Sequence, residues 1–189
     1  ELVGVGDVLR PWADHDDAAA LAYESAWRVL ARTRVAVLDA RVAAAIGRWP
    51  TLGASLVERS VQRSRWLGLQ LAMTQVRRAD VRLQMLFWHL ADRWGRTSRD
   101  GVLLPLPLTH RTIAQLACMR RPTVSTTLQA LARAGQVMRR SDGTWLLAGE
   151  PPDLARLRGR DHLRGAASYG PSPRRDGLPA GSVTGSRAS

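Results

Sequence analysis

Leu108-Thr-His-Arg-Thr-Ile-Ala-Gln-Leu-Ala-Cys-Met-Arg-Arg-Pro-Thr-Val-Ser-Thr-Thr-Leu-Gln-Ala-Leu-Ala-Arg133 reads as two short amphipathic helices joined by a tight turn. Thr109 is placed to cap the first, its hydroxyl accepting from backbone N–H groups two or three residues on. Ile113, Leu116 and Ala117 form its inner side, and Ala114 is small where the two helices must cross. Cys118-Met119-Arg120 makes the turn. The second helix opens on Arg121-Pro122, where a missing N–H is harmless because first-turn donors have no intrahelical acceptor. Val124, Leu128 and Leu131 recur at helical spacing and predict the buried face. The opposite face then carries Arg121, Pro122, Ser125, Thr126 and Gln129.

A hairpin signal follows at once, Gln136-Val-Met-Arg-Arg-Ser-Asp-Gly-Thr-Trp-Leu-Leu147, with Asp142-Gly143 as its turn. Two helices and a hairpin in this order predict a winged helix that lays its second helix in a DNA groove. Each outward residue has a use there. Arginine can donate two bonds to guanine, worth roughly 1–3 kcal/mol of discrimination. The hydroxyls of Ser125 and Thr126 suit bases or phosphates, and a threonine methyl packs on thymine. Thr123, in the first turn, suits a phosphate oxygen. Arg139 and Arg140 border the wing's turn and can reach the backbone or minor groove. His110 and Arg111 at the start of the first helix, and Arg120 in the turn, complete the candidate contacts.

Charge agrees. The chain carries a net charge of +12 over 189 residues, and every basic residue is arginine. A coding bias toward arginine would spread evenly. Instead the balance is −1 for residues 1–50, +3 for 51–80, +7 for 81–149 and +3 for 150–189. The largest excess falls in the span that holds the helix pair, as a footprint for phosphates requires.

Outward from that centre, residues 51–79 predict one long helix without proline; it holds two glycines, Gly53 near its start and Gly68 in its interior. Val57, Val61, Gly68 and Leu71 fall near one face, flanked by Leu67 and Leu69, with Arg59, Arg63 and Arg77 elsewhere. Such a rod spans about 40 Å at about 1.5 Å per residue, more than a small domain covers, so a second copy is expected to bury the stripe. Asp80 is the expected cap of the next helix, Val81 to Trp94, which Gly95 ends. Val102-Leu-Leu-Pro-Leu-Pro107 reads as a strand, and its prolines suggest an edge position.

Residues 1–50 carry strand-like segments at Gly4–Leu9, Ser25–Leu30 and Thr33–Leu38, the last two with rough alternation. An acidic loop, Asp14-His-Asp-Asp17, lies between, and Asp39 is placed to cap a short helix through Ile46 before Trp49-Pro50 breaks it. Residues 150–189 hold five of the ten prolines and six glycines, and read as a disordered tail with one helical turn near Leu154–Leu157. No internal repeat is present.

Residues 80–149 resemble the C-terminal winged-helix domain of the cAMP receptor protein/Fnr (Crp/Fnr) family of bacterial transcription regulators. The family's motif runs Thr-Arg-x-Glu-Ile-Gly-x-x-x-Gly-x-x-Arg-Glu-Thr-Val. This chain has Thr109-His-Arg-Thr-Ile113-Ala at its start and Arg121-Pro-Thr123-Val124 at its end. The resemblance implies that the helix from Thr51 is the dimer helix and that Asp80 marks a hinge. It gives Arg121 the guanine-reading role and Thr123 a phosphate role. Pro122 replaces the glutamate that reads cytosine, Thr126 stands where a second arginine would be, and Cys118 replaces the turn glycine. The operator is therefore expected to differ from the family's best-known half-site.

Residues 1–50 resemble the later part of the family's β-roll sensor, a cyclic-nucleotide-binding-like domain. Gly6-Asp7 lacks the cassette that holds a cyclic nucleotide, so no effector or cofactor carries over. The expected class is α+β: a partial β-roll over 1–50, a dimerisation helix over 51–79, a winged helix-turn-helix over 80–149 and the tail. Double-stranded DNA, a second copy of the chain and RNA polymerase are the implied partners.

Other classes fare worse. One cysteine, Cys118, excludes an intramolecular disulfide and a cysteine-held cluster. No Gly-rich phosphate loop, Gly-x-Ser-x-Gly or metal-spaced His/Cys set is present, so an enzyme is not expected. His15 and His89 are lone histidines, read as structural or solvated, and adjacent residues of the Asp14–Asp17 loop cannot all converge on one ion. A winged helix that binds protein partners instead of DNA stays open, although such a face is more often apolar or mixed. No apolar run reaches the roughly 18–20 residues of a membrane span. Nor does the opening Glu1-Leu-Val-Gly resemble a secretory signal, so a soluble cytoplasmic protein is expected. Without an initiator Met, the chain is expected to be a piece of a longer protein.

Overall fold

The computed structural model describes residues 1–9 and 27–152. Along these run α1 (Ala40–Arg48), α2 (Pro50–Thr74), α3 (Ala79–Trp94), β1 (Arg96–Ser98) and β2 (Gly101–Leu104). They are followed by α4 (His110–Leu116), α5 (Arg121–Arg133), β3 (Val137–Arg139) and β4 (Trp145–Leu147). The class is α+β. Asp39 caps α1 as expected, its carboxylate accepting from the N–H groups of Arg41 at 2.9 Å and Val42 at 3.4 Å. Trp49 separates the first two helices, and Pro50 opens α2 where no N–H is needed.

The long helix is shorter than its sequence pattern suggested. It stops at Thr74, and the chain turns through residues 75–78 before α3 starts at Ala79. The cap position of α3 belongs to Arg78, not Asp80. Asp80 sits in the first turn and pairs with the Arg78 guanidinium at 2.6 Å. That hydrogen bond holds the Asp80 carboxyl below its ordinary range. No proline or glycine marks this break. Met73 near the end of α2 and Val81 near the start of α3 are both buried, on either side of the turn.

Among the described residues, the strand-like segments near the N-terminus form no strand. Residues 4–9 and 27–38 join no sheet, and Val35 and Val37 are exposed. Alternation alone cannot make a strand, because the ladder needs a neighbour, and the described residues offer these segments none. Ser25, the Asp14–Asp17 loop and the tail from Asp153 onward lie outside the described residues.

The four strands form one antiparallel sheet in the order β1-β2-β4-β3. Leu104 lies opposite Trp145, and Val137 opposite Leu147. β2 is thus an inner strand and not the edge its prolines suggested. It ends at Leu104, so Pro105 and Pro107 fall beyond the ladder and cost no hydrogen bond. The partner hairpin β1–β2 turns at Arg99-Asp100 into Gly101, whose φ is +137°. A Cβ on Gly101 would stand 2.1 Å from the Leu147 carbonyl oxygen. Gly101→Ala is therefore expected to lower stability by more than about 2 kcal/mol, from strain and clash together. An unchanged denaturant midpoint would contradict this.

The sheet and the helices α3, α4 and α5 enclose the core. Leu83, Phe87 and Leu90 of α3 meet Ile113, Val124 and Leu128 from the helix pair and Leu104, Trp145 and Leu147 from the sheet. Phe87 and Trp145 pack at 4.9 Å between ring centroids. A second contact seats α2 on α3. Trp66 stacks on buried His89 at 3.5 Å, Trp94 meets Trp66 edge-on at 5.8 Å, and the Arg93 guanidinium lies 4.8 Å over Trp94. Arg93 also pairs with Asp7 at 2.8 Å, drawing residues 1–7 onto this corner. His89 is structural here, one of the two roles open to it from sequence.

Candidate nucleic-acid interface

The helix pair is built by local signals. Thr109 Oγ1 accepts from the Thr112 N–H at 3.1 Å and lies 2.9 Å from the Thr112 hydroxyl, closing the start of α4. Ile113, Ala114 and Leu116 are buried, which leaves Arg111 and Gln115 on the outer side. The Met119 N–H reaches back to the Ala114 carbonyl at 2.9 Å and closes the turn. Cys118 takes φ +50° there, the left-handed conformation that glycine supplies more cheaply. For a side chain this costs roughly 1–2 kcal/mol, so its surroundings must hold it.

In α5, Val124, Leu128 and Leu131 are buried. The opposite side presents Arg121, Pro122, Thr126 and Gln129 to solvent, with Thr123 beside them. The predicted face is thus formed, but two of its members are engaged. His110 Nδ1 and Ser125 Oγ lie 2.8 Å apart, joining the helices and leaving Ser125 half-buried. The Thr126 hydroxyl donates to the Pro122 carbonyl at 3.2 Å, so its proton is engaged while its methyl and its acceptor lone pairs stay free. Thr109, spent as a cap, keeps an exposed edge.

The wing forms where the sequence placed it. Gly143 has φ +84°, and its N–H meets the Arg140 carbonyl at 3.1 Å. Asp142 accepts from the Thr144 hydroxyl at 2.6 Å and the Thr144 N–H at 2.9 Å, and these bonds hold its carboxyl below the ordinary range. Arg139 lies with its guanidinium 5.7 Å over the Trp145 ring, and Arg140 stands exposed beside the turn. Among the described residues, Arg111, Arg120, Arg121, Arg139 and Arg140 form no ion pair. Five arginines free of ion pairs among the described residues favour an anionic partner. No group of three or more His, Cys, Asp or Glu among the described residues could hold a metal ion. No described helix is long and apolar enough to cross a membrane.

One contact was invisible in the sequence. Arg28 donates to Thr112 Oγ1 and Gln115 Oε1, each at 3.3 Å, across more than eighty residues of chain. No local pattern links an arginine in an irregular segment to a helix so distant.

Residues 81–157 match the Crp-like helix-turn-helix domain. The regulatory protein CysR of Synechococcus elongatus is 33% identical over 86 residues, which is 44% of this chain and 42% of that protein. The chain therefore spans less than half the length of that relative. Among solved structures, a variant of CooA from Carboxydothermus hydrogenoformans superposes with a TM-score of 0.51 at 24% identity. That superposition covers 65% of this chain and 55% of that one, and it speaks for the fold. Cap, turn, outward polar helix and wing occupy residues 81–157 in order, and that segment is similar to the Crp-like helix-turn-helix domain.

Proposed function

We propose that the chain is a DNA-binding transcription regulator that reads duplex DNA as a homodimer through α5 and the β3–β4 wing. The observation that carries this is the outward side of α5. Arg121, Pro122, Thr126 and Gln129 stand exposed on a helix whose other side is locked into the core. Arginines with no ion pair among the described residues flank that side on α4, the turn and the wing. Arg121 would read guanine, Thr123 would meet phosphate, and Arg139 and Arg140 would grip the backbone beside the groove. Pro122 can offer only apolar contact, so the preferred half-site should lack a base read by a carboxylate.

Dimerisation is supported by α2. Its 25 residues bury only Met73, while Val57 and Val61 are exposed along a shallow groove with Leu56 and Ser60, and Leu71 is exposed farther along the helix. A second copy laid along this stripe would set two recognition helices about 34–36 Å apart, one turn of DNA. Such a dimer, seated near a promoter, would have RNA polymerase as its downstream partner.

Arg121→Ala is expected to remove preference at one base pair in each half-site, a loss of about 1–3 kcal/mol of discrimination per contact, with stability little changed. Binding-site selection followed by titration of the selected duplex measures it. Full retention of base preference would remove Arg121 from its role. Wild-type affinity should also fall steeply between about 50 and 200 mM salt, since phosphate contacts release counterions.

A further inference from the structure

The turn between α4 and α5 is held from outside by two side chains that take no part in the exposed face of α5. Gln70, near the end of α2, donates from Nε2 to the Leu116 carbonyl at 3.4 Å. Arg82, in the first turns of α3, donates from Nη1 to the carbonyls of Ala117 and Cys118, both at 3.4 Å. Its Nε donates to the Val76 carbonyl at 2.8 Å, and Nη2 reaches the same oxygen. Three successive carbonyls at the end of α4 thus receive donors from two other elements. These are the groups a helix terminus leaves without intrahelical partners.

The arrangement has a direction. Val76 lies in the short connection between α2 and α3, and Cys118 lies in the strained turn that sets the path into α5. One guanidinium grips both. Its planar fork can serve two acceptor sites at once, which a lysine ammonium on a flexible stem matches poorly. Gln70 adds a second tie from α2 itself. Any change in the direction of α2 relative to α3 moves Val76 and Gln70, and both pull on the turn.

We propose that Arg82 and Gln70 are positioning residues that seat α5 and carry the α2–α3 angle into the helix-turn-helix. The consequence for DNA rests on α5 being the reading helix, but the mechanical link is measurable without DNA. The full chain carrying Arg82→Ala, Arg82→Lys or Gln70→Ala would be compared with wild type by amide hydrogen exchange. Cys118, the chain's one cysteine, supplies a second probe through its rate of maleimide labelling. In Arg82→Ala, exchange at Cys118 and Met119 should quicken about tenfold, as loss of roughly 1.4 kcal/mol of local hold implies, while Leu90 in α3 keeps its rate. Gln70→Ala should show a smaller change at the same amides, and Arg82→Lys should fall between Arg82→Ala and wild type. Labelling of Cys118 should follow the same order.

Unchanged turn exchange in Arg82→Ala would overturn the proposal. So would an equal quickening at Leu90 and at the turn, which marks general loosening instead of a local tie. Should Arg82→Ala fail to fold, Arg82→Lys and Gln70→Ala decide by the same criteria. If wild type binds no duplex, the DNA reading falls while the exchange result still judges the link. If wild type does bind, Arg82→Ala should weaken the selected site about tenfold, with Arg82→Lys restoring part of the loss.

Discussion

Trp145→Ala should destabilise the winged helix by about 3–5 kcal/mol, among the largest effects expected of a substitution at the described residues. Trp145 is 2% exposed, pairs with Leu104 across the sheet and packs on Phe87 of α3. It therefore joins sheet to helix at the point where the wing meets the core. Truncation would leave a cavity under β4 that neither Phe87 nor Leu104 can fill without leaving its own place. Trp145→Phe should cost much less. The indole Nε1 is buried with no hydrogen-bond partner among the described residues, so its removal forfeits no bond. Denaturant melts of the two variants check this, and a phenylalanine as damaging as an alanine would show that the ring's contacts are not what matters.

The second large effect is a loss of stability on mild acidification through His89. Its side chain is buried, stacked against Trp66, and its Nε2 has no hydrogen-bond partner among the described residues. Burial pushes its pKa from 6.5 down to about 4, with Asp92 opposing only in part. The unfolded chain therefore binds a proton near pH 6.5 that the folded chain refuses until about pH 4. Stability is full above pH 6.5 and falls as pH drops from 6.5 toward 4. At 1.36 kcal/mol per unit this amounts to about 3 kcal/mol across the window. Carboxylates lose their own pairings mostly below that range, so the fall between pH 6.5 and 4.5 reports on the histidine. His89→Phe, similar in shape and without a titrating group, should flatten the fall. A variant with the wild-type slope would assign the acid response elsewhere.

The contrast between these two residues shows what a sequence can carry. The helix-turn-helix and wing were legible because each rests on neighbours in the chain. Thr109 caps three residues ahead, Val124, Leu128 and Leu131 share a face by spacing alone, and Asp142-Gly143 makes its own turn. The outward candidates followed by elimination once that face was placed. The pairing of His110 with Ser125 and the grip of Arg82 on Val76 and Cys118 depend on how elements meet, and no spacing rule announces them. The same holds for the break at residues 75–78, which has neither proline nor glycine. Alternation at Thr33–Leu38 misled for the complementary reason: it describes a strand's two faces and says nothing of a partner. The β1–β2 hairpin did have a local signal, Asp100-Gly101, which the prolines after Leu104 overshadowed.

Selection from a pool of random duplexes, using the full chain at moderate salt, tests the central claim most directly. The expected outcome is an enriched two-fold symmetric site with half-sites about one helical turn apart, a guanine in each, and specificity that Arg121→Ala reduces at that base pair alone. A pool that emerges with no preferred sequence, from wild-type protein shown to be folded, would contradict it.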